Sequence, residues 1–222
     1  VNPKLAIFVK YEFWPNLLSE LKQQEIPTIL ISGILRKKQS FFKWYGGFMK
    51  NALKAFNHFF VQNEESKYLL NSINFNNVTI SGDTRFDRVY EILQQDNSLE
   101  FISEFKNSTY TVVAGSTWQQ DEELLINYIN NKASDDEKFI IAPHNINQKN
   151  ITALRKSILK KTILYSERNN VDLKEYQVFI VDTIGLLTKI YASADAAYVG
   201  GGLKTGLHNI LEPATFGVPV VI

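Results

Sequence analysis

Ten short apolar runs rich in β-branched and aromatic residues recur along this chain, and most are separated by longer segments with helical spacing. The runs occupy 5–10, 28–32, 58–62, 78–81, 111–115, 138–142, 162–165, 178–181, 196–200 and 218–222. A short apolar run of this kind suits a strand buried on both faces. Strands that alternate with helices must pair through crossovers, so the expected class is α/β, with parallel sheets covered by helices on both faces. Several intervening segments carry helix start signals. Segment 14–23 has Pro15 in its first turn, where a missing N–H costs nothing. Segment 63–72 opens on Asn63, a cap-type residue, and then Glu64 and Glu65, which complement the helix dipole. Segment 119–130 opens with acids at 121–123 and sets Leu124, Leu125 and Tyr128 on one face. Segments 184–192 and 209–216 complete the set. The pattern relaxes between 82 and 110, a polar stretch with Asp83, Asp87 and Asp96 that reads as helix plus connector. A domain boundary is expected there, near residue 90, giving domains 1–90 and 91–222.

Composition narrows the chemistry. The 222 residues are ample for a buried core, and 45% hydrophobic with 21% charged residues is ordinary for a globular protein. A net charge of +1 does not mark the whole chain as a nucleic-acid binder. With no cysteine, disulfides, thiolate metal sites and cysteine nucleophiles are excluded. His58, His144 and His208 are scattered and lack zinc-ligand spacing. No apolar stretch reaches the roughly 18–20 residues of a membrane span. The chain starts at Val1 and stops at Ile222, both beside or inside apolar runs, so it is expected to be a piece cut at both ends.

In open α/β sheets ligands bind beyond the carboxyl ends of the strands, and four strand ends here are distinctive. Run 111–115 leads into Gly115-Ser116-Thr117-Trp118 and a helix, where backbone N–H groups offer an anion site; Ser116 or Thr117 as a plain helix cap is the alternative. Run 138–142 leads into Pro143-His144-Asn145, and run 178–181 into Asp182-Thr183. A loop histidine and a helix-capping aspartate are the ordinary readings of those two. Run 196–200 leads into Gly200-Gly201-Gly202, then Lys204-Thr205-Gly206, then His208-Asn209-Ile210-Leu211-Glu212-Pro213. Consecutive glycines let backbone approach a ligand closely. The helix after them offers a phosphate seat, and Glu212 can accept hydrogen bonds from ribose hydroxyls. Lys204 is not a Walker lysine, because the P-loop spacing is absent. In the first half, Glu12 follows run 5–10; it suits orienting an acceptor sugar or supporting a base, or simply a helix dipole.

From Ile26 to Asn63 there is no acid, while Arg36, Lys37, Lys38, Lys43, Lys50 and Lys54 interleave with Phe41, Phe42, Trp44, Tyr45 and Phe48. That mixture suits an anionic membrane surface. It also suits RNA, through stacking, or a core of aromatics with a solvated lysine face. Arg36, Lys37, Lys38, Lys43 and Trp44 are the residues expected to face membrane or acceptor.

Glu12-x-Trp14-Pro15-Asn16, Gln62-Asn63-Glu64, Ser81-Gly82-Asp83 with Phe86-Asp87, Gly115-Ser116-Thr117, Gly200-Gly201-Gly202 and His208-Asn209-x-x-Glu212-Pro213 occur in this order. Together they resemble the transferases that attach Kdo (3-deoxy-D-manno-octulosonic acid) to lipid A in Gram-negative bacteria. The resemblance implies a GT-B fold, with two Rossmann-like domains facing across a cleft. It implies Kdo transfer from CMP-Kdo to a lipid A precursor at the cytoplasmic face of the inner membrane, in lipopolysaccharide biosynthesis. No cofactor and no metal are implied, and nucleic acid is not among the implied partners. By resemblance the second domain holds the donor through Gly115, Ser116, Pro143, His144, Gly201, Gly202, Asn209 and Glu212. The first domain receives the lipid, with Glu12 matching an acid that lines the cleft.

Three departures accompany the match. The family often has Pro-Arg-His where this chain has Ala142-Pro143-His144, and commonly Gly where Leu207 stands. The family's general base and membrane anchor would lie upstream of Val1, so the fragment is expected to bind donor rather than turn over. Two rival readings are another GT-B nucleotide-sugar enzyme, such as a UDP-sugar transferase or UDP-GlcNAc 2-epimerase, and a non-enzymatic two-lobed binding protein.

Overall fold

The computed structural model describes residues 3–222, which form two compact units dividing between Asp87 and Arg88. In the first unit β1 (Ala6–Val9), α1 (Pro15–Gln23), β2 (Thr28–Gly33), α2 (Gly47–Ala52), β3 (His58–Val61), α3 (Glu64–Ser72) and β4 (Val78–Ile80) follow in order, and α4 (Thr84–Leu93) runs across the division. The four strands are all parallel, in the order β1-β2-β3-β4. Pro15 opens α1 at its first helical position, and Asn63 caps α3 by accepting the Ser66 N–H at 2.9 Å. Leu18, Leu30, Leu53, Phe59 and Leu70 are wholly buried between sheet and helices. Phe56 and Phe59, 5.0 Å apart, and Phe8 and Phe13 against Phe56 extend that core with mostly edge-on aromatic contacts.

In the second unit α5 (Glu100–Lys106), β5 (Tyr110–Thr117), α6 (Gln119–Asn131), β6 (Glu137–Pro143), α7 (Gln148–Ser157), β7 (Thr162–Leu164), β8 (Val178–Ile180), α8 (Leu187–Tyr191), β9 (Ala196–Val199), α9 (Leu211–Thr215) and β10 (Val220–Val221) build one sheet. All its strands are parallel, in the order β10-β9-β5-β6-β8-β7. Burial on both faces is visible residue by residue. Ile140 and Phe179 join a core with Ile102, Phe105 and Ile190, whereas Phe139, Ile141 and Ile180 join another with Ile129, Ile151 and Leu154. Such strands read as continuous apolar runs because both alternating faces are covered by helices.

The strand order creates one special place. From β5 the chain builds outward to β6, β7 and β8 on one side, then returns past β5 to lay β9 and β10 on the other. The connections leaving β5 and β9 therefore run in opposite directions, and a crevice opens where their carboxyl ends meet.

All ten expected strands are present, and 82–110 holds α4 and α5. Three helix expectations need correction. Asp182 does not cap a helix; its carboxylate accepts the Ser166 N–H at 3.0 Å and hydroxyl at 2.6 Å, and α8 begins only at Leu187. Gly185, with φ +93, turns the chain between them. The last helix is five residues long and starts at Leu211 rather than 209, because 201–209 is turn and loop. Its first N–H donates to Asn209 Oδ1 at 3.2 Å.

Candidate functional site

The crevice is shaped by what happens at the end of β5. Gly115 pairs with Ala142 of β6, but Thr117 pairs with Pro143, so β5 carries an extra residue. That residue, Ser116, has φ +54, a left-handed conformation that costs a non-glycine residue roughly 1 kcal/mol. Gly115 has no freedom to be larger, since a Cβ there would overlap the Tyr191 hydroxyl packed beneath it. Burial, and then the Glu212 carboxylate, push that hydroxyl's pKa upward.

The bulge delivers the chain into α6 with Asp121 turned inward. Asp121 is 1% exposed, and its Oδ2 accepts the backbone N–H of Trp118 at 2.8 Å and of Gly201 at 3.0 Å. Its Oδ1 accepts the Tyr198 hydroxyl at 2.8 Å. Burial and this bond push the Tyr198 pKa up to about 12. Neighbouring Glu122, half-buried, accepts from the Thr117 hydroxyl at 3.2 Å, and burial raises its pKa. Beside it lies a cavity of about 470 Å³ between α6 and α7, with Trp118, Thr117 and Asn145 on its lining.

The glycine turn after β9 meets the bulge at close range. A Cβ on Gly200 would come 2.5 Å from the Ser116 carbonyl oxygen and 2.8 Å from Asp121 Oδ2. Gly201 has φ +92 and a Cβ would overlap the Gly206 carbonyl. Gly202 differs: it is exposed, and a Cβ would meet nothing nearer than 3.8 Å. The first two glycines are thus demanded by the protein's own packing, while the third presents backbone to solvent.

Three rings complete the rim. Trp118 and His208 are nearly parallel, with 13° between their planes, and the indole N–H donates to His208 Nε2 at 2.9 Å. His144 stacks on both, at 4.4 Å from Trp118 and 4.7 Å from His208 between centroids. An indole is a donor only, so His208 must be neutral at Nε2 and carry its proton on Nδ1. Burial, and then His144, lower the His208 pKa in keeping with that bond. The His144 N–H donates to the Thr117 carbonyl at 2.8 Å, fixing the Pro143-His144 turn to the β5 end.

Glu212 is held from both sides. The Thr188 hydroxyl donates to its Oε2 at 2.8 Å, and the Asn209 amide to its Oε1 at 3.3 Å.

The structure therefore gathers Gly115, Ser116, Pro143, His144, Gly201 and Gly202 at the carboxyl ends of β5, β6 and β9, with Asn209 and Glu212 on the segment leaving β9. Sequence reasoning missed Asp121, Trp118 and Tyr198. Asp121 read only as one of the acids opening segment 119–130, and only its place at the third position of α6 hinted that it could reach back to the Trp118 N–H.

In the first unit Glu12 follows β1 and lies outside the first turn of α1, which contains no acid. Its carboxylate accepts the Trp14 indole N–H at 2.6 Å, and both residues are exposed. The basic-aromatic stretch splits in two. Phe41 and Phe56 are core, whereas Trp44 is 96% exposed, with Tyr45 and Phe48 also exposed. Arg36, Lys37, Lys38 and Lys43 are exposed too. Among the described residues no helix is long and apolar enough to cross a membrane, and no group of three or more His, Asp or Glu side chains is arranged to hold a metal ion.

Comparison with known proteins follows the same lines. Residues 1–88 match the family described as 3-deoxy-D-manno-octulosonic-acid transferase (kdotransferase). A 3-deoxy-D-manno-octulosonic acid transferase from Rickettsia bellii is 27% identical over 221 residues, covering 97% of this chain and 52% of that protein. One from Chlamydophila psittaci is 25% identical over 233 residues, covering 100% of this chain and 52% of that protein. The chain thus spans about half the length of these relatives. The crystal structure of a candidate UDP-N-acetylglucosamine 2-epimerase from Listeria monocytogenes covers 99% of this chain and 56% of its own at a TM-score of 0.55 and 11% identity, a likeness of fold alone. Through the family description over residues 1–88 and through these transferases along its length, the chain is similar to the Kdo transferases.

Proposed function

We propose that this chain is part of a glycosyltransferase that binds CMP-Kdo in the crevice between β5 and β9 and transfers Kdo to a lipid A precursor. One observation carries the reading. The glycine turn, the Ser116 bulge and the held carboxylate of Glu212 lie at or beside the switch point of a parallel sheet, in a chain similar to the Kdo transferases. A carboxylate only accepts hydrogen bonds, so Glu212 suits the two hydroxyls of a ribose. Trp118 and Gly201 have already given their N–H groups to Asp121, so the donor's phosphate falls to the exposed backbone at Gly202 and to the His144–His208 pair.

In the proposed reaction the bond from the anomeric carbon of Kdo to the CMP phosphate breaks. A bond to an acceptor hydroxyl oxygen forms, and the hydroxyl proton passes to a base. Donors aimed at the departing phosphate stabilise the charge that develops there. Glu12, exposed beyond β1, is the acid proposed to support acceptor deprotonation. The step requires no metal. The exposed cations and Trp44 are proposed to meet the cytoplasmic face of the inner membrane, where the lipid acceptor lies.

Calorimetric titration with CMP tests the reading. Wild type is expected to bind CMP, with UDP at least tenfold weaker and Glu212→Ala and Gly202→Val each at least tenfold weaker for CMP. CMP binding unchanged in both variants would remove the basis of the site. A preference for UDP would assign the crevice to a uridine nucleotide instead.

A further inference from the structure

We infer that Asp121 is the positioning residue of the donor seat, a role that rests on the nucleotide reading of the crevice and extends it. Its carboxylate touches no solvent-facing ligand position, being 1% exposed, so it acts through other groups. Those groups come from both walls of the crevice. Trp118 belongs to the β5 side and carries the ring that anchors His208 and supports His144. Tyr198 lies in β9, and Gly201 opens the glycine turn after it. One buried side chain therefore ties the two diverging connections of the switch point at 2.8–3.0 Å on three bonds.

The consequence is geometric. Gly201 has φ +92 and the turn beyond it, 202–207, is exposed. The Asp121 bond to the Gly201 N–H sets the direction in which the open backbone at Gly202 leaves the sheet. The same carboxylate holds the Trp118 N–H and so the origin of the ring layer. Asp121 also places an internal anion where a helix start and a glycine turn would otherwise receive a phosphate, which moves the ligand's phosphate outward to the rings and Gly202. Charged and titratable neighbours around it are Glu122, His208 and the Tyr198 hydroxyl.

Geometry and charge separate experimentally. In Asp121→Asn the amide oxygen can still accept both N–H groups while its NH₂ faces the tyrosine oxygen, so shape is kept and charge is lost. In Asp121→Glu the charge is kept and the extra methylene displaces it. CMP binding is measured by calorimetry for both variants and wild type, at a temperature where circular dichroism shows each fully folded. The expected result is Asn within tenfold of wild type and Glu weaker by more than tenfold. Should Glu not fold, Asp121→Ser, too short to span both N–H groups, replaces it with the same expected loss. Glu or Ser binding within tenfold of wild type overturns the role, as does a loss beyond tenfold in Asn. Wild type failing to bind CMP overturns the nucleotide reading itself, an outcome distinct from either.

Discussion

A single missing methyl group governs how close two elements of the crevice can stand. Gly115 lies over Tyr191, and any Cβ would overlap the tyrosine hydroxyl and come 2.8 Å from Leu187 Cδ2. Gly115→Ala is expected to cost about 1–3 kcal/mol through overpacking. The measurement is the urea midpoint, with an unchanged slope showing that stability alone has moved. His208 offers a second residue-level test, with its sign set by the indole bond. The folded state disfavours the imidazolium, because protonated Nε2 would point its N–H at the indole N–H. Between the ordinary histidine pKa of about 6.5 and the lower folded value, the unfolded chain binds more protons, so stability falls as pH falls through that window. Above that window this contribution is flat. Wild type should therefore lose more thermal stability between pH 7 and pH 5 than His208→Asn; equal losses would refute the neutral assignment. These residues also show where sequence stopped being informative. The glycines after β9 were legible as a close approach, yet which of them serve packing and which stays open depends on a bulge at Ser116, eighty-odd residues earlier. No local pattern encodes that a left-handed serine will turn Asp121 inward.

Elements were more legible than contacts. The central strands of the second unit stood out because a strand buried on both faces has no polar side to interrupt its apolar run, whereas β1 reads as apolar although Ile7 and Val9 are exposed. Helices α2 and α7 did not. Helix α7 buries only Ile151 and Leu154 among polar residues, and α2 follows Gly46, opens on Gly47, buries only Ala52 and exposes Phe48. Both exist through tertiary packing rather than periodicity. Where a cap was legible it was also consequential. Asn63 closes the start of α3, and the hydroxyl of Ser66, one turn in, accepts the Leu35 N–H at 3.0 Å, tying that helix to the connection after β2. Asn63→Ala should cost about 1 kcal/mol of stability, whereas Asn63→Asp, which keeps an acceptor beside the dipole, should cost little. Comparable losses from both substitutions, read by thermal melting, would show that the cap bond contributes nothing.

At the scale of the whole molecule, charge is distributed unevenly although the total is only +1. The 26–63 stretch holds no acid, and its exposed Arg36, Lys37, Lys38 and Lys43 share a segment with Trp44, Tyr45 and Phe48, aromatics left out of the core. A solvated lysine face needs no exposed tryptophan, and an RNA platform needs rings presented flat to bases. Trp44 and Tyr45 instead pack edge to face, 5.7 Å between centroids and 86° between planes. An anionic bilayer uses both features at once. On the proposed membrane reading, each cation near the headgroups would contribute about 1 kcal/mol and the aromatic pair would enter the interface. Vesicles of mixed neutral and anionic lipid should retain the protein at low salt and release it as rising salt shortens the screening length to a few ångströms. Vesicles of neutral lipid alone should retain little. Trp44→Ala should weaken retention without altering its salt slope, and Lys37→Glu with Lys38→Glu should flatten that slope. Retention indifferent to lipid charge would return the stretch to an ordinary solvated face, and retention by single-stranded RNA but not by vesicles would identify a nucleic-acid surface.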